Sequence, residues 1–372
     1  MHSQKHPQKI ANPVITSLDF RHKLLACFIA LSLCVPFFYI TRQWAETNGH
    51  NTITPFIFTG MSQGIHSDHF DQLRPVWKPR VGAMWCSAQW LAYWNPQDAE
   101  GFKDVCGSYH VIWFGMTLFL LVFALKEPIF PILAVFAGTV YAIQTNTDTV
   151  LYDDVHILPW DFPALFFWTL AFLLWRRKHF KSMVAAMIFG TVFKETVALL
   201  AILLFFSGKE YFDVRGLWEK RGSFGSVIRS LVQMQAVRLF AMAFVGCLVV
   251  KLFITQVILG QPVVFTANHR AVGALWASIS RFLAWEFHPH LNTILWADGG
   301  LALAVFLLPC KSSEDKGIIC ILVLFYFFLA VAEIIDGGTF EVRHWTDPMA
   351  ILAIYFQDKL YPTAGALSIR ST

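Results

Sequence analysis

Apolar stretches recur along the whole chain, and charge interrupts them at few points; a soluble core has no room for so many. The stretches run from Leu24 to Ile40, His110 to Leu125, Phe130 to Gln144, Phe162 to Trp175, Met183 to Phe206, Val237 to Leu259, Leu291 to Leu308, Gly317 to Ile335 and Met349 to Tyr355. Several fall short of the roughly 20 residues of a membrane-spanning helix. Their ends carry Trp, Tyr, Pro or His, which suit the membrane interface. With 56% hydrophobic and only 15% charged residues, the chain is a poor fit to soluble, disordered and fibrous classes. The fold expected is all-α: a polytopic transmembrane helical bundle of about nine to ten membrane segments. No repeat or linker divides residues 1–372, which read as a single integral membrane domain.

Orientation follows from the bias of Lys and Arg towards cytoplasmic loops. Lys5, Lys9, Arg21 and Lys23 put the N-terminus in the cytoplasm, and Leu24 to Ile40 reads as an uncleaved membrane helix because no small-residue cleavage pattern follows it. Residues 41–109 then form a large extracytoplasmic loop. The segment Thr145 to Pro159 has no Lys or Arg and three Asp, as an outside loop should, and Arg176, Arg177, Lys178 and Lys181 return the chain inside.

The run from Met183 to Phe206 breaks this alternation. A single crossing would put the basic segment Lys209 to Arg238 outside and bury Lys194-Glu195 at the bilayer centre, where a charge costs about 3 kcal/mol or more. Two short helices, rising from Lys181 to Phe193 and descending from Thr196 to Phe206, remove both faults if the pair sits at a tip lined by protein or water. One tilted helix with Lys194 buried against a carboxylate is the alternative. Residues 208–238, which mix Trp218, Leu217, Val227, Ile228 and Leu231 with basic residues, then lie on the cytoplasmic leaflet as an amphipathic segment.

Polar residues collect on the outer side of this topology. They are Asp68, Asp71, Arg74, Lys78 and Arg80; Tyr152, Asp153, Asp154, His156 and Asp161; Lys194 and Glu195; and Glu341, Arg343 and His344. Carboxylates are suited to take a proton from an acceptor hydroxyl, and fixed cations to stabilise charge on a departing phosphate. Asp71, Asp68, Asp154 and Asp153 are the catalytic candidates. Lys194, Glu195, Arg343, His344, Arg74, Arg80 and Tyr152 are the candidates for binding substrate. Against these readings, Asp161 suits a helix cap, Asp153-Asp154 a solvated turn, Arg74 and Arg80 lipid headgroups, and Lys251 a side chain snorkelling to the surface.

The segment HSDHFD from His66 to Asp71 lacks a recognisable metal-ligand spacing and reads as a solvated loop, so neither a metal nor a cofactor is expected. Of seven cysteines, Cys86 and Cys106 are the pair that could bridge in an oxidising compartment. No Walker loop, GxGxxG, HExxH or GxSxG occurs, and no basic stretch interleaved with stacking aromatics suggests nucleic acid.

The stretch RRKHFKSMVAAMIFGTVFKETVALLAILLFFSGKEYF resembles the membrane glycosyltransferases of the C type in its basic turn, short helix, Lys at the tip and returning short helix. The Asp-bearing segment after the first helix adds to the resemblance. It implies a polyprenyl-phosphate-linked sugar donor, a glycan or lipid acceptor, membrane lipid as surroundings, and placement in a bacterial inner membrane. It also implies Asp71 or Asp68 as the base, with Lys194 and Arg343 on the lipid phosphate. That family's acidic residue commonly follows the first helix closely, where this chain has Glu46. A polysaccharide polymerase or ligase, and a transporter of an anionic solute with Lys194 at a broken helix, are the alternatives.

Overall fold

The computed structural model describes residues 17–45, 80–145, 158–206, 234–260, 310, 312–336 and 346–361. All regular structure among them is helical: α1 Ser17–Ala45, α2 Val81–Trp94, α3 Ala99–Ala124, α4 Ile129–Thr145, α5 Asp161–Arg176, α6 Phe180–Thr191, a 3₁₀ helix Glu195–Phe206, α7 Gln235–Phe253 continued by a π turn Ile254–Ile258, α8 Ser313–Asp336 and α9 Met349–Leu360. Among the described residues three helices are long and apolar enough to cross a membrane, at Phe20–Gln43, Ala99–Ala124 and Gln235–Ile258. Each rises about 36 Å or more at 1.5 Å per residue, against a hydrocarbon thickness of about 30 Å.

Helix ends are set by local chemistry. The Asp98 side chain accepts a hydrogen bond from the Gly101 N–H at 2.7 Å and starts α3, three residues after Asn95, which takes a left-handed conformation (φ 42°) to close α2. α5 carries Pro163 in its first turn, where no intrahelical N–H is lost. Its other end is a Schellman turn, with the His179 N–H bonded to the Leu174 carbonyl and the Lys178 N–H to the Trp175 carbonyl. Lys178 (φ 60°) fills the position usually given to glycine.

The core runs along α1, α3, α5 and the hairpin of α6 with the 3₁₀ helix. Phe37 of α1 stacks on Phe114 of α3 at 3.9 Å, and Phe162 of α5 meets Phe37 edge-on at 5.1 Å. Gly107 lets α3 close on α1, since a Cβ there would lie 3.2 Å from the Phe38 ring.

One end of the bundle is tied by basic residues. Arg176 bridges Glu314 of α8 at 2.7 Å and Asp358 of α9 at 2.9 Å, and Lys359 pairs with Asp315 at 2.6 Å. Arg177 donates to the Ala124 carbonyl, Lys23 to the Val122 and Leu125 carbonyls, and Gln357 to the Glu127 carbonyl. The Ser313 hydroxyl donates to the Phe206 carbonyl at 3.2 Å. Phe206 therefore lies beside the same first turn of α8 as Arg176. The chain between them rises and returns, as the two-helix expectation for Lys181 to Phe206 required.

Elsewhere the helices depart from the expected boundaries. Residues 41–109 contain the end of α1, all of α2 and the first turns of α3, where a loop was expected. Hydropathy sees only the apolar part of α3, whose first turns carry exposed Glu100 and Asp104, and it passes over α2 because fourteen residues are too few for a span. Leu291 to Leu308 lies outside the described residues, as does 208–233 of the amphipathic segment; its remaining residues lead into and begin α7.

The returning arm is a 3₁₀ helix of 12 residues, well beyond the three or four usual for that geometry. Its burial has period three. Val197, Leu200 and Leu203 form one buried row, while Thr196, Leu199, Ile202 and Phe205 form a partly buried one. Three residues per turn stack these rows without drift, and the buried one packs into the core.

Candidate functional site

At the end opposite the basic ties, two layers of charge surround the break between α6 and the 3₁₀ helix. The inner layer is closed. The Lys194 side chain is fully buried, with Nζ 2.9 Å from Asp347 Oδ1 and 3.3 Å from Asp161 Oδ1. Asp161 Oδ2 also accepts from the Leu158 N–H at 3.0 Å, and Asp347 Oδ2 from the Thr196 hydroxyl at 2.7 Å. The Trp168 indole N–H points at that hydroxyl at 3.4 Å. Both carboxylates are buried. A buried ion must be paired and hydrogen-bonded to be tolerated, and these contacts provide both from three parts of the chain: the start of α5, the break and the start of α9.

The outer layer is open. Glu195, whose side chain is 46% exposed, accepts two hydrogen bonds from the Arg80 guanidinium, and Lys251 lies 3.4 Å from its Oε2. The planar guanidinium fits a carboxylate two bonds at a time, and it also lies over the buried Trp160 ring, 4.6 Å away. The inner layer sets two carboxylates on one ammonium and the outer layer two cations on one carboxylate, and Arg80 also lies in the field of Asp161 and Asp347, so the two layers balance each other.

The sequence-expected residues divide accordingly. Lys194, Glu195 and Arg80 come together at this end. Asp68, Asp71, Arg74, Tyr152, Asp153, Asp154, Arg343 and His344 lie outside the described residues. Arg80 is tied to Glu195 and to Trp160, where a lipid headgroup was the bland expectation. Asp161 does not cap α5 through its own helix; it bonds backward to Leu158 and outward to Lys194. Lys251, expected to snorkel, folds onto Glu195 instead. Lys194 is buried among carboxylates, so the alternative of a carboxylate partner holds for its side chain while the broken helix holds for its backbone.

Two residues were missed. Asp347 and Trp160 are not among the candidates the sequence singled out, yet both lie in the cluster. A signal existed for the first: a Lys at depth demands a carboxylate, and Asp161 and Asp347 are acids set against a proline at the start of an apolar helix. Cys86 and Cys106 are free thiols packed near Tyr109 and do not bridge. Among the described residues no group of three or more His, Cys, Asp or Glu is gathered as a metal site.

The class these observations define is an all-helical protein with, among the described residues, three helices long and apolar enough to cross a membrane and a two-layer ion cluster at one end. No family, no curated protein and no solved structure matches the chain.

Proposed function

We propose that this protein is a multi-pass membrane transferase that moves a sugar from a lipid-phosphate-linked donor to a glycan or lipid acceptor outside the cytoplasm. The observation that carries the proposal is the open outer layer, in which Arg80 and Lys251 share the single half-exposed carboxylate of Glu195. The two cations lie side by side at the half-exposed position of the cluster, and Arg80 has the planar geometry that binds phosphate oxygens in pairs.

The layout supports the rest of the proposal. Ala45 and Arg80, Thr145 and Leu158, and Asp336 and Thr346 bracket 46–79, 146–157 and 337–345, the parts of the sequence with Asp68 and Asp71, Tyr152, Asp153 and Asp154, and Arg343 and His344. In the transfer, the acceptor hydroxyl oxygen bonds to the anomeric carbon of the sugar. The bond from that carbon to the phosphate oxygen breaks, and its electron pair stays on the phosphate. Asp71, or Asp68 beside it, takes the hydroxyl proton, with Glu46 as the reserve candidate, and Arg80 and Lys251 stabilise the departing phosphate. Lys194 holds the break in place and does not bind the donor. The bundle has nine to ten membrane segments with the N-terminus in the cytoplasm of a bacterial cell.

The test is transfer from polyprenyl-phosphate-linked sugars by the purified protein in lipid vesicles. Arg80→Ala and Lys251→Ala each lower kcat/KM at least tenfold, and Asp71→Asn lowers kcat with donor binding unchanged. A wild-type rate in both cation variants overturns the phosphate site. A broken helix with buried charge also suits a transporter, and vesicles that accumulate an anionic solute without transfer would favour that reading.

A further inference from the structure

Helix α2 contains no charged residue in VGAMWCSAQWLAYW. Its inner face, Val81, Met84, Ser87 and Ala88, is buried, and its outer face presents Trp85, Gln89, Ala92 and Tyr93, followed by Trp94. Rings of this kind, apolar with one polar edge, belong at the level of lipid headgroups.

Two side-chain contacts join the helix to α3. The Tyr109 hydroxyl lies 3.3 Å from the Ala83 carbonyl, and the Trp90 indole N–H donates to Ser108 Oγ at 2.9 Å. Ala83 and Trp90 are about 10 Å apart along α2, yet they meet adjacent residues of α3. The first turn of α2 is fixed at the same level, since the Gly82 N–H donates to the Val192 carbonyl at the hairpin break. At about 21 Å, α2 is too short to cross a bilayer.

The depth of that level can be read from α3. Its charges, Glu100, Lys103 and Asp104, all precede Val105; no Asp, Glu, Lys or Arg follows until Lys126. Val105 to Ala124 rises about 30 Å, the hydrocarbon thickness. Ser108 and Tyr109 sit about 5 Å below the upper edge of this charge-free stretch, and helices lying in a leaflet bury their apolar faces about 5–10 Å into the boundary. Above α2, Arg42 pairs with Glu100 at 2.7 Å and with Asp104 at 2.5 Å, as groups in water or among headgroups do.

We infer that α2 is an interfacial helix lying in the plane of the phospholipid leaflet at the ion-cluster end, with Trp85, Gln89, Ala92 and Tyr93 against lipid. The inference rests on the membrane reading above but not on sugar transfer. Arg80 immediately precedes α2, so this seat holds its guanidinium near the depth of lipid phosphates.

The test uses the full chain without native cysteines, carrying one nitroxide at Trp85→Cys, Gln89→Cys or Ala92→Cys, in phosphatidylethanolamine–phosphatidylglycerol vesicles. Val249→Cys, on the exposed side of α7, is the membrane control. Collision rates with oxygen, which enters lipid, are compared with those of a water-soluble nickel chelate. The expected result is oxygen exceeding nickel severalfold at all three α2 positions, to the same degree at each and less than at Val249. Nickel dominating on α2 but not at Val249 overturns the interfacial helix alone. A depth that changes steadily along α2, or neither reagent reaching it, overturns it too, through an inclined helix or a protein cover. Nickel dominating at Val249 as well removes the membrane reading itself.

Discussion

At the scale of single residues, Lys194 is the most constrained side chain described. Its ammonium is the shared partner of Asp161 and Asp347, and removing it leaves two carboxylates buried against each other's charge. Lys194→Met therefore destabilises the folded protein by roughly 3 to 5 kcal/mol, measured as the shift in unfolding in detergent. Asp347→Asn in the same chain restores part of the loss, because one buried charge goes with it; equal loss in the single and double variants would overturn the shared-ion account. Thr196→Val deletes the hydroxyl that donates to Asp347 and costs roughly 1.5 to 3 kcal/mol. The sequence made Lys194 conspicuous, since charge inside an apolar run is rare, but it offered no means of choosing its partners. Asp161 is 33 residues away and Asp347 153 residues away along the chain, and no local pattern spans such distances.

At the scale of elements, the connections carry most of the information. Lys178 holds a left-handed backbone in the turn between α5 and α6, a conformation that hinders any side chain with a Cβ. Lys178→Gly should stabilise the protein by roughly 0.5 to 1 kcal/mol once the greater freedom of glycine in the unfolded chain is allowed for; unfolding midpoints check it, and a lower midpoint would refute the strain. Gly190 acts in the opposite sense. A Cβ there would lie 2.8 Å from Phe167 Cβ and 2.9 Å from Val197 Cγ1, so it keeps α5, α6 and the 3₁₀ helix in contact. Gly190→Leu forces these elements apart at a cost of about 1 to 3 kcal/mol, visible in the same measurement. Burial recurs every three residues from Val197 to Leu203, but in the sequence all twelve residues of this arm are apolar apart from Glu195 and Thr196. In so uniform a run, helical and 3₁₀ patterns look alike until packing selects one.

At the scale of the whole molecule, the hairpin of α6 with the 3₁₀ helix decides which ends of the helices lie together. Single cysteines at Lys178, Ser312 and Asn95, probed with a membrane-impermeant reagent on intact cells, should divide two against one: Lys178→Cys and Ser312→Cys share a side, and Asn95→Cys takes the other. Ser312→Cys labelling together with Asn95→Cys would mean a single crossing from Met183 to Phe206. The amino-acid sequence by itself determined the all-helical class, the apolar segments and the need for a break near Lys194-Glu195, because hydropathy, basic flanks and the cost of a charge at depth are properties of local composition. Tertiary structure alone decided that Lys194 is locked between Asp161 and Asp347, that Arg80 and Lys251 converge on Glu195, and that Tyr109 and Ser108 of α3 hold α2. Each of those depends on contacts between distant segments, and their free energy exists only after the helices have packed.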